Sequence, residues 1–465
     1  MTNTKETIRR LIKIYKSIPG EQRYKDIFIT LIWLKRVNDI SNKTRKNGLI
    51  IPESANLSRI ANTKDELGIT LIKAFEDLEK ENIVLEGALL PLSDIIYALQ
   101  QDERAKNAML IAISELLDIS MSDDHYANKQ QFPEIFNSVL LSIVQNRLTG
   151  EVSTPEHISK LLARLLDIRN NITIHDPFCG IGGTLIECQR LAEQRNEKVS
   201  LTGQEINVDV WRYCILSMTA NSYTTADIRQ GSTILNPAFV DTHADKLTQF
   251  DRVVSVPPFG KLNWGQEIAD YDKYNRFRYG IPPKNVGDMA HLQHMIACLN
   301  GTGKGAMVLP QGILFRGASE ERIRKGLIQT NLIEAVIMLP TKIFSTSIQM
   351  VVVIINMNKT AERNNSIQFI SAENLGEESG RNTILIDNDI SKIVTAYENY
   401  EDIENFSRIV KLDEIRDNDY SLSFSLYVEK NTDIETVNVK RTLQQIQQLE
   451  ETRRKLLENI MRNMD

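Results

Sequence analysis

Apolar residues recur three and four apart through the first 145 or so residues, as Ile8, Leu11, Ile12 and Tyr15 and again as Leu71, Ile72, Phe75 and Leu78. That spacing puts each set on one face of a helix, so an all-helical N-terminal region is expected. The turn signals Ile18-Pro19-Gly20 and Lys46-Asn47-Gly48 divide it. From about residue 150 the period changes. Short β-branched runs at 172–175, 199–204, 251–255, 305–309, 333–338 and 350–356 are separated by segments long enough for helices. Alternation of this kind specifies a parallel sheet covered on both faces. Residues 430–465 return to a helical period, with Val439, Leu443, Ile446, Leu449, Leu456 and Ile460 on a rough seam among Gln, Glu, Arg and Lys. Such a helix packs on its own domain or pairs with another subunit, self-association included. The pattern divides the chain into a helical domain over 1–145, an α/β domain over 146–429 and a terminal helix over 430–465.

The length of 465 residues suits two or more domains, each able to bury a core. None of the four cysteines (Cys179, Cys188, Cys214, Cys298) forms a CxxC pair, which points to a reducing compartment and away from disulfides or a zinc site, so no metal is expected. The start, MTNTKETIRR, lacks the apolar core of a signal peptide, and no run of 18 apolar residues occurs. A soluble cytoplasmic protein without a membrane partner is the expectation. A net charge of −6 is unlike a stand-alone DNA binder, so any phosphate contacts should come from local clusters or from a partner.

Candidate chemistry gathers at two turns. Asp176-Pro177-Phe178-Cys179-Gly180-Ile181-Gly182-Gly183 lies between the run 172–175 and a stretch of good helix formers from Thr184. Glycines 180, 182 and 183 permit positive φ and let the backbone approach a ligand that a Cβ would hold away, so a bulky residue at Gly182 is expected to block binding. Glu205 closes the next strand, where in a doubly wound fold a carboxylate accepts hydrogen bonds from ribose hydroxyls. No GxxxxGK[ST] loop accompanies them, and the turn is not GxGxxG. The site is that of a nucleoside without a phosphate reader. The second turn is Val256-Pro257-Pro258-Phe259, at the end of the run 251–255.

The first turn resembles the S-adenosylmethionine loop of class I methyltransferases, and Pro-Pro-Phe resembles the tail of the (Asn/Asp)-Pro-Pro-aromatic motif of amino-methylating DNA methyltransferases. Other stretches are similar to one branch, the modification (methylation) subunit of type I restriction enzymes: Leu31 to Asp39 (LIWLKRVND), Gly150 to Pro155, Gly203 to Asn207 (GQEIN), Gly287-Asp288 with Gln293-His294, Leu309 to Gly317 (LPQGILFRG) and Asn418 to Leu422. They occur in the family's order over nearly the whole chain. The resemblance implies an α/β, Rossmann-like class I methyltransferase sheet with a final antiparallel strand, behind a helical N-terminal domain and before a C-terminal helix. It also implies the cofactor S-adenosyl-L-methionine, held by Thr154, Asp176, Phe178, Gly180, Gly182, Gly183, Thr184, Glu205, Ile206 and Ser232. Here Asp176 and the glycines cradle the methionine part, with N–H groups turned to its carboxylate at a helix start. Glu205 takes the ribose and Ile206 lies against adenine.

In such enzymes the Asn or Asp oxygen and the first proline's carbonyl accept the two N–H bonds of an adenine amine and aim its lone pair at the methyl, while the aromatic stacks on the flipped-out base. The corresponding residues here are Val256, Pro257, Pro258 and Phe259, and a valine side chain accepts no hydrogen bond. Loss of one such contact commonly costs about 2.7–4 kcal/mol, roughly a hundred- to a thousandfold in rate. Further departures lie at Val152 and Ser153, usually aromatic; at Ser232, usually an acid, with Asp227 a neighbouring substitute; and at His291, usually aromatic. Ligand-facing positions have changed while fold-building turns remain.

The stretch Lys273 to Gly280 (KYNRFRYG) with Lys284 interleaves cations and aromatic rings, so Lys273, Arg276, Arg278 and Lys284 are candidate DNA contacts. Arg316, Arg322 and Arg324 are weaker phosphate candidates that can equally pair with Glu320 and Glu321. The expected function is an adenine-specific DNA methyltransferase subunit, weak on DNA alone, that works with a DNA-specificity subunit and, in the full assembly, a restriction subunit. Two alternatives stay open: a non-catalytic homologue with a structural or regulatory role, and methyl transfer to an acceptor other than DNA.

Overall fold

In the computed structural model strands stand where the β-branched runs do, and most of their residues are buried. The structure describes residues 4–41, 48–123, 131–144, 154–243, 245–260, 263–344, 346, 348–428, 450–451 and 453–454. Nine strands form one sheet: β1 (Ile172–Asp176), β2 (Val199–Glu205), β3 (Asp227–Gln230), β4 (Phe250–Ser255), β5 (Leu299–Pro310), β6 (Ile333–Met338), β7 (Met350–Asn356), β8 (Ser366–Ser371) and β9 (Ser407–Lys411). Their spatial order is β9-β8-β6-β7-β5-β4-β1-β2-β3. Strands β3, β2, β1, β4 and β5 run parallel, with Ile174 opposite Leu201 on one side and Arg252 on the other. β7 runs antiparallel to both β5 and β6. The six runs seen in the sequence became β1, β2, β4, β5, β6 and β7; β3 adds one edge of the sheet, and β8 and β9 extend the other.

The N-terminal region is helical throughout its described part: α1 (Thr4–Lys16), α2 (Lys25–Ser41), α3 (Leu57–Ala61), α4 (Leu67–Glu81), α5 (Ser93–Gln101), α6 (Glu103–Leu117) and α7 (Gln131–Val144). Its local logic is ordinary. Asn56 caps α3 by accepting from Ser58 N and Arg59 N, Asp102 caps α6 through Ala105 N, and α4 buries Leu71, Phe75 and Leu78 on one face. Around the sheet lie α8 (Glu156–Leu165), α9 (Gly183–Gln194), α10 (Val208–Ala220), α11 (Asp288–Ala297), α12 (Ser319–Gln329), α13 (Asp387–Asn399) and α14 (Leu412–Asp417).

The helical region does not close a core of its own. One apolar core runs from Leu11 and Trp33 through Tyr213 and Met218 to Ile174 and Ile337. Its hinge piece is α10, where every residue from Arg212 to Ala220 is buried, because one face meets the sheet and the other meets α2. Trp33 Nε1 donates to Thr219 Oγ1 at 2.9 Å, Arg36 Nε to the Ala220 carbonyl at 3.2 Å, and the Tyr213 hydroxyl to Asp26. The LIWLKRVND stretch is thereby explained as the seam between helices and sheet. The other face of the sheet carries a second core, from Val253 and Met307 to Ile323 and Phe369. Of the terminal helix expected over 430–465, residues 450–451 and 453–454 are helical and the remainder lies outside the described residues.

Candidate cofactor and acceptor site

Three adjacent strands, β4, β1 and β2, end side by side at Ser255, Asp176 and Glu205. Asp176 is buried at 2% exposure; its Oδ1 accepts from Phe178 N at 3.0 Å and from Ser255 Oγ at 2.6 Å. Among the described residues both hydrogen bonds fall on Oδ1, which leaves Oδ2 for a donor from outside. Burial pushes the Asp176 carboxyl up to about 7, against the pull of those two bonds. Glu205 bridges two turns: Oε2 accepts Gly180 N at 3.0 Å and Oε1 accepts Asn207 N at 2.8 Å. Asn207 in turn caps α10, accepting from Asp209 N and Val210 N.

The glycines of the first turn differ in what they do. Gly180, at φ +55°, would point a Cβ into open space, so its backbone is the one open to a ligand. Gly182, at φ +83°, would drive a Cβ to 2.7 Å from Met218 Cε and 2.8 Å from Cys214 Sγ. It is a glycine for close packing on α10, which corrects the expectation that a bulky residue there acts by blocking the ligand. Gly183 is the first residue of α9. Thr184 is buried, its hydroxyl 3.3 Å from Ser159 on α8, and Thr154 is half-buried just before that helix. Gly150 to Ser153 lie outside the described residues.

Beyond the end of β2, Ile206 is exposed at 46%. Ser232 is half-buried and its Oγ accepts Leu235 N at 3.2 Å, so the hydroxyl braces its own turn. Asp227 is exposed and its carboxylate is taken by Arg229 at 2.7 Å. Phe178 packs against His291 with ring centroids 4.7 Å apart, and His291 is buried inside α11.

Val256 to Phe259 leave β4 beside Asp176, and the Ser255 hydroxyl ties the two turns together. Val256 is half-buried against the core, Pro257 is buried, and the Phe259 ring stands edge-on to Phe344 at 5.2 Å. Gly260 N donates to Asp288 Oδ1 at 3.0 Å, and Arg316 Nη1 holds Asp288 Oδ2 at 3.2 Å. Sequence reasoning missed Ser255, Asp288 and Phe344 as neighbours of the turn. Ser255, one residue before Val256, and Asp288, in the Gly287-Asp288 stretch, carried a signal in the sequence, whereas Phe344 carried none.

The four candidate DNA contacts separate. Lys273, Arg278 and Lys284 are exposed, with Lys273 paired to Asp245 at 3.0 Å and Arg278 bonded to the Tyr279 hydroxyl. Arg276 is buried at 2% and paired with Asp272 at 2.8 Å, so the expectation that it touches phosphate is corrected: a guanidinium enclosed by protein acceptors cannot reach solvent. Arg324 is likewise buried against the carbonyls of Ile313, Arg316 and Tyr420, whereas Arg322 is exposed. Among the described residues no cluster of ligating side chains could hold a metal ion, and no helix is long and apolar enough to cross a membrane.

The strand order, the antiparallel β7 and the carboxylate at the end of β2 define a class I S-adenosylmethionine-dependent methyltransferase fold. Within that class the N-6 DNA Methylase family matches residues 128–436, and the chain belongs to that family. It is 34% identical over 325 residues to the methylase subunit of type I restriction enzyme MjaVII from Methanocaldococcus jannaschii, which covers 67% of this chain and 55% of that protein. It is 28% identical over 399 residues to the HindI methylase subunit of Haemophilus influenzae, covering 82% of this chain and 85% of that one. The chain thus spans about half the length of the MjaVII subunit and most of the HindI subunit. In fold it matches the methyltransferase subunit of a type I restriction-modification system from Streptococcus thermophilus, with a TM-score of 0.79 over 92% of this chain and 100% of that one, at 23% identity.

Proposed function

We propose that this chain is the methylase subunit of a type I restriction-modification system, built to bind S-adenosyl-L-methionine and to present it to the amino group of adenine in DNA. The observation that carries this is the 2.6 Å bond from Ser255 to Asp176, which sets the cofactor turn and the Pro-Pro-Phe turn edge to edge. The residues fit the cofactor: open space before Gly180 for its amino-acid part, an Asp176 Oδ2 apart from the two bonds on Oδ1 for its ammonium, the Glu205 carboxylate at the end of β2 for ribose and an exposed Ile206 for adenine. When bound, the cofactor supplies a sulfonium methyl. The chain's own part is to orient both reactants. Asp176 and the open backbone at Gly180 receive the amino-acid end, and Glu205 the sugar. The Pro257 carbonyl accepts from the adenine amine, and Phe259, kept upright by Phe344, stacks on the base.

Val256 withdraws one acceptor from this arrangement. That favours slow chemistry, and it keeps in view a second reading in which the chain is a non-catalytic, cofactor-binding subunit, or one with an acceptor other than DNA. Partners of the proposed assembly are DNA, a DNA-specificity subunit and a restriction subunit. Calorimetric titration with S-adenosylmethionine and its demethylated product tests the shared core of these readings. Saturable binding that Glu205→Ala weakens at least tenfold is expected; no binding by the wild-type chain would remove the methyltransferase assignment.

A further inference from the structure

We infer that Arg276 is a positioning residue for the adenosine half of the pocket, and that it ties this half to the loop whose exposed cations are proposed to meet DNA. The inference rests on the proposed cofactor site. It starts from the segment 231–238, which follows β3, carries Ser232 and has no regular secondary structure. Carbonyls in such a segment have no ladder to join and need donors from elsewhere. Arg276 Nη1 donates to the Ile234 carbonyl at 2.9 Å and lies 3.4 Å from that of Thr233, so one buried guanidinium holds two successive peptide units. The same segment is fastened to the glycine turn, because the Thr233 hydroxyl donates to the Pro177 carbonyl.

The guanidinium is itself held rigidly. Asp272 takes Nε at 2.8 Å and the Arg276 backbone N–H at 2.6 Å, and His294 Nδ1 lies 3.3 Å from Nη1. Burial, helped by the charge of Arg276, keeps His294 well below its ordinary pKa. A neutral ring that accepts on Nδ1 carries its proton on Nε2, where Cys298 Sγ lies at 3.3 Å. An apolar contact runs in parallel: Ile234 packs in a small cluster with Trp264, Ala269, Phe277 and Ala290, four residues from beyond the Pro-Pro-Phe turn. A lysine cannot reproduce this, since a point charge lacks the fork that reaches two carbonyls and Asp272 at once. On either side of Arg276, Lys273 and Arg278 point outward on the same loop. A shift of that loop on DNA therefore moves the buried guanidinium and, with it, the wall beside Ser232.

The test uses the full chain with Arg276→Met and Arg276→Lys, measured by calorimetry with S-adenosylmethionine and by hydrogen exchange without it. For Arg276→Met, cofactor affinity should fall roughly tenfold to a hundredfold, the loss attached to hydrogen bonds from a charged donor. Arg276→Lys should fall between it and the wild type. Without cofactor, the amides of 231–238 should exchange faster in Arg276→Met while those of β1, β2 and residues 180–184 keep their protection. Unchanged affinity and unchanged exchange overturn the inference. Exchange that rises across the whole sheet also overturns it, since Arg276 would then be a general support of the fold. A wild-type chain that binds no cofactor removes the proposed function, and with it the cofactor role of Arg276, whereas local exchange then still shows that the segment is ordered by this residue.

Discussion

At the residue scale, Asp176 makes the sharpest statement about pH. A carboxyl raised to about 7 from an ordinary 3.8 binds its proton more tightly in the folded chain than in the unfolded one. Its contribution to stability is therefore fully present below about 3.8 and lost as the pH rises through about 7. If the cofactor's ammonium meets Oδ2, binding ionises the carboxyl. At pH 6, where the ligand's amine is already charged, titration of S-adenosylmethionine in buffers of different ionisation enthalpy should then release close to one proton, and Asp176→Asn should abolish that release. Equal heats in all buffers at pH 6 would place the ammonium elsewhere. The glycines give a second prediction. Gly182→Val should lower the melting temperature, because its side chain enters the space of Met218 and Cys214, whereas Gly180→Ala should leave the fold near its wild-type stability and weaken cofactor binding. The reverse order would undo the division between them. The glycine turn and Glu205 were legible from residue type and spacing. The division of labour among the glycines was not, since it depends on what α10 brings beside Gly182. Nor did an alternating run of cations and rings disclose that Arg276 turns inward to Asp272.

Elements were easier to read than their contacts. Six strands follow from β-branched runs, of which β6 and β7 are buried along their whole length or nearly so. β8 and β9 escaped notice because polar residues such as Gln368 and Arg408 interrupt them, each with a tertiary partner that period counting cannot see. The packing of α2 on α10 was not legible: no local pattern shows that Trp33 meets Thr219 across 186 residues. That shared seam should make the helical region and the sheet unfold together. Calorimetric melting is expected to give one transition, and Arg36→Met should destabilise the chain by about 1–3 kcal/mol for each buried carbonyl left without a donor. Two separated transitions, with only the first shifted in Arg36→Met, would contradict a common core.

For the whole molecule, a net charge of −6 and the burial of Arg276 leave few cations for a long phosphate track. Binding of duplex DNA by the chain alone should be weak and indifferent to sequence, and a specificity subunit should tighten it. A nanomolar, sequence-specific footprint of the chain alone at physiological salt would be the wrong result for this picture. Ser255 and Asp176 join the glycine turn to the Pro-Pro-Phe turn, and in the proposed function Val256 stands where the amine would need an oxygen. The most direct measurement is transfer of a labelled methyl group to DNA by the wild type and by Val256→Asn, each reconstituted with its specificity subunit. The account predicts that transfer is slow or absent in the wild type and faster by roughly a hundredfold in Val256→Asn, the effect of restoring one oriented contact, with less than full recovery if Ser232 has also loosened the site. Rapid wild-type methylation that Val256→Asn leaves unchanged would contradict it.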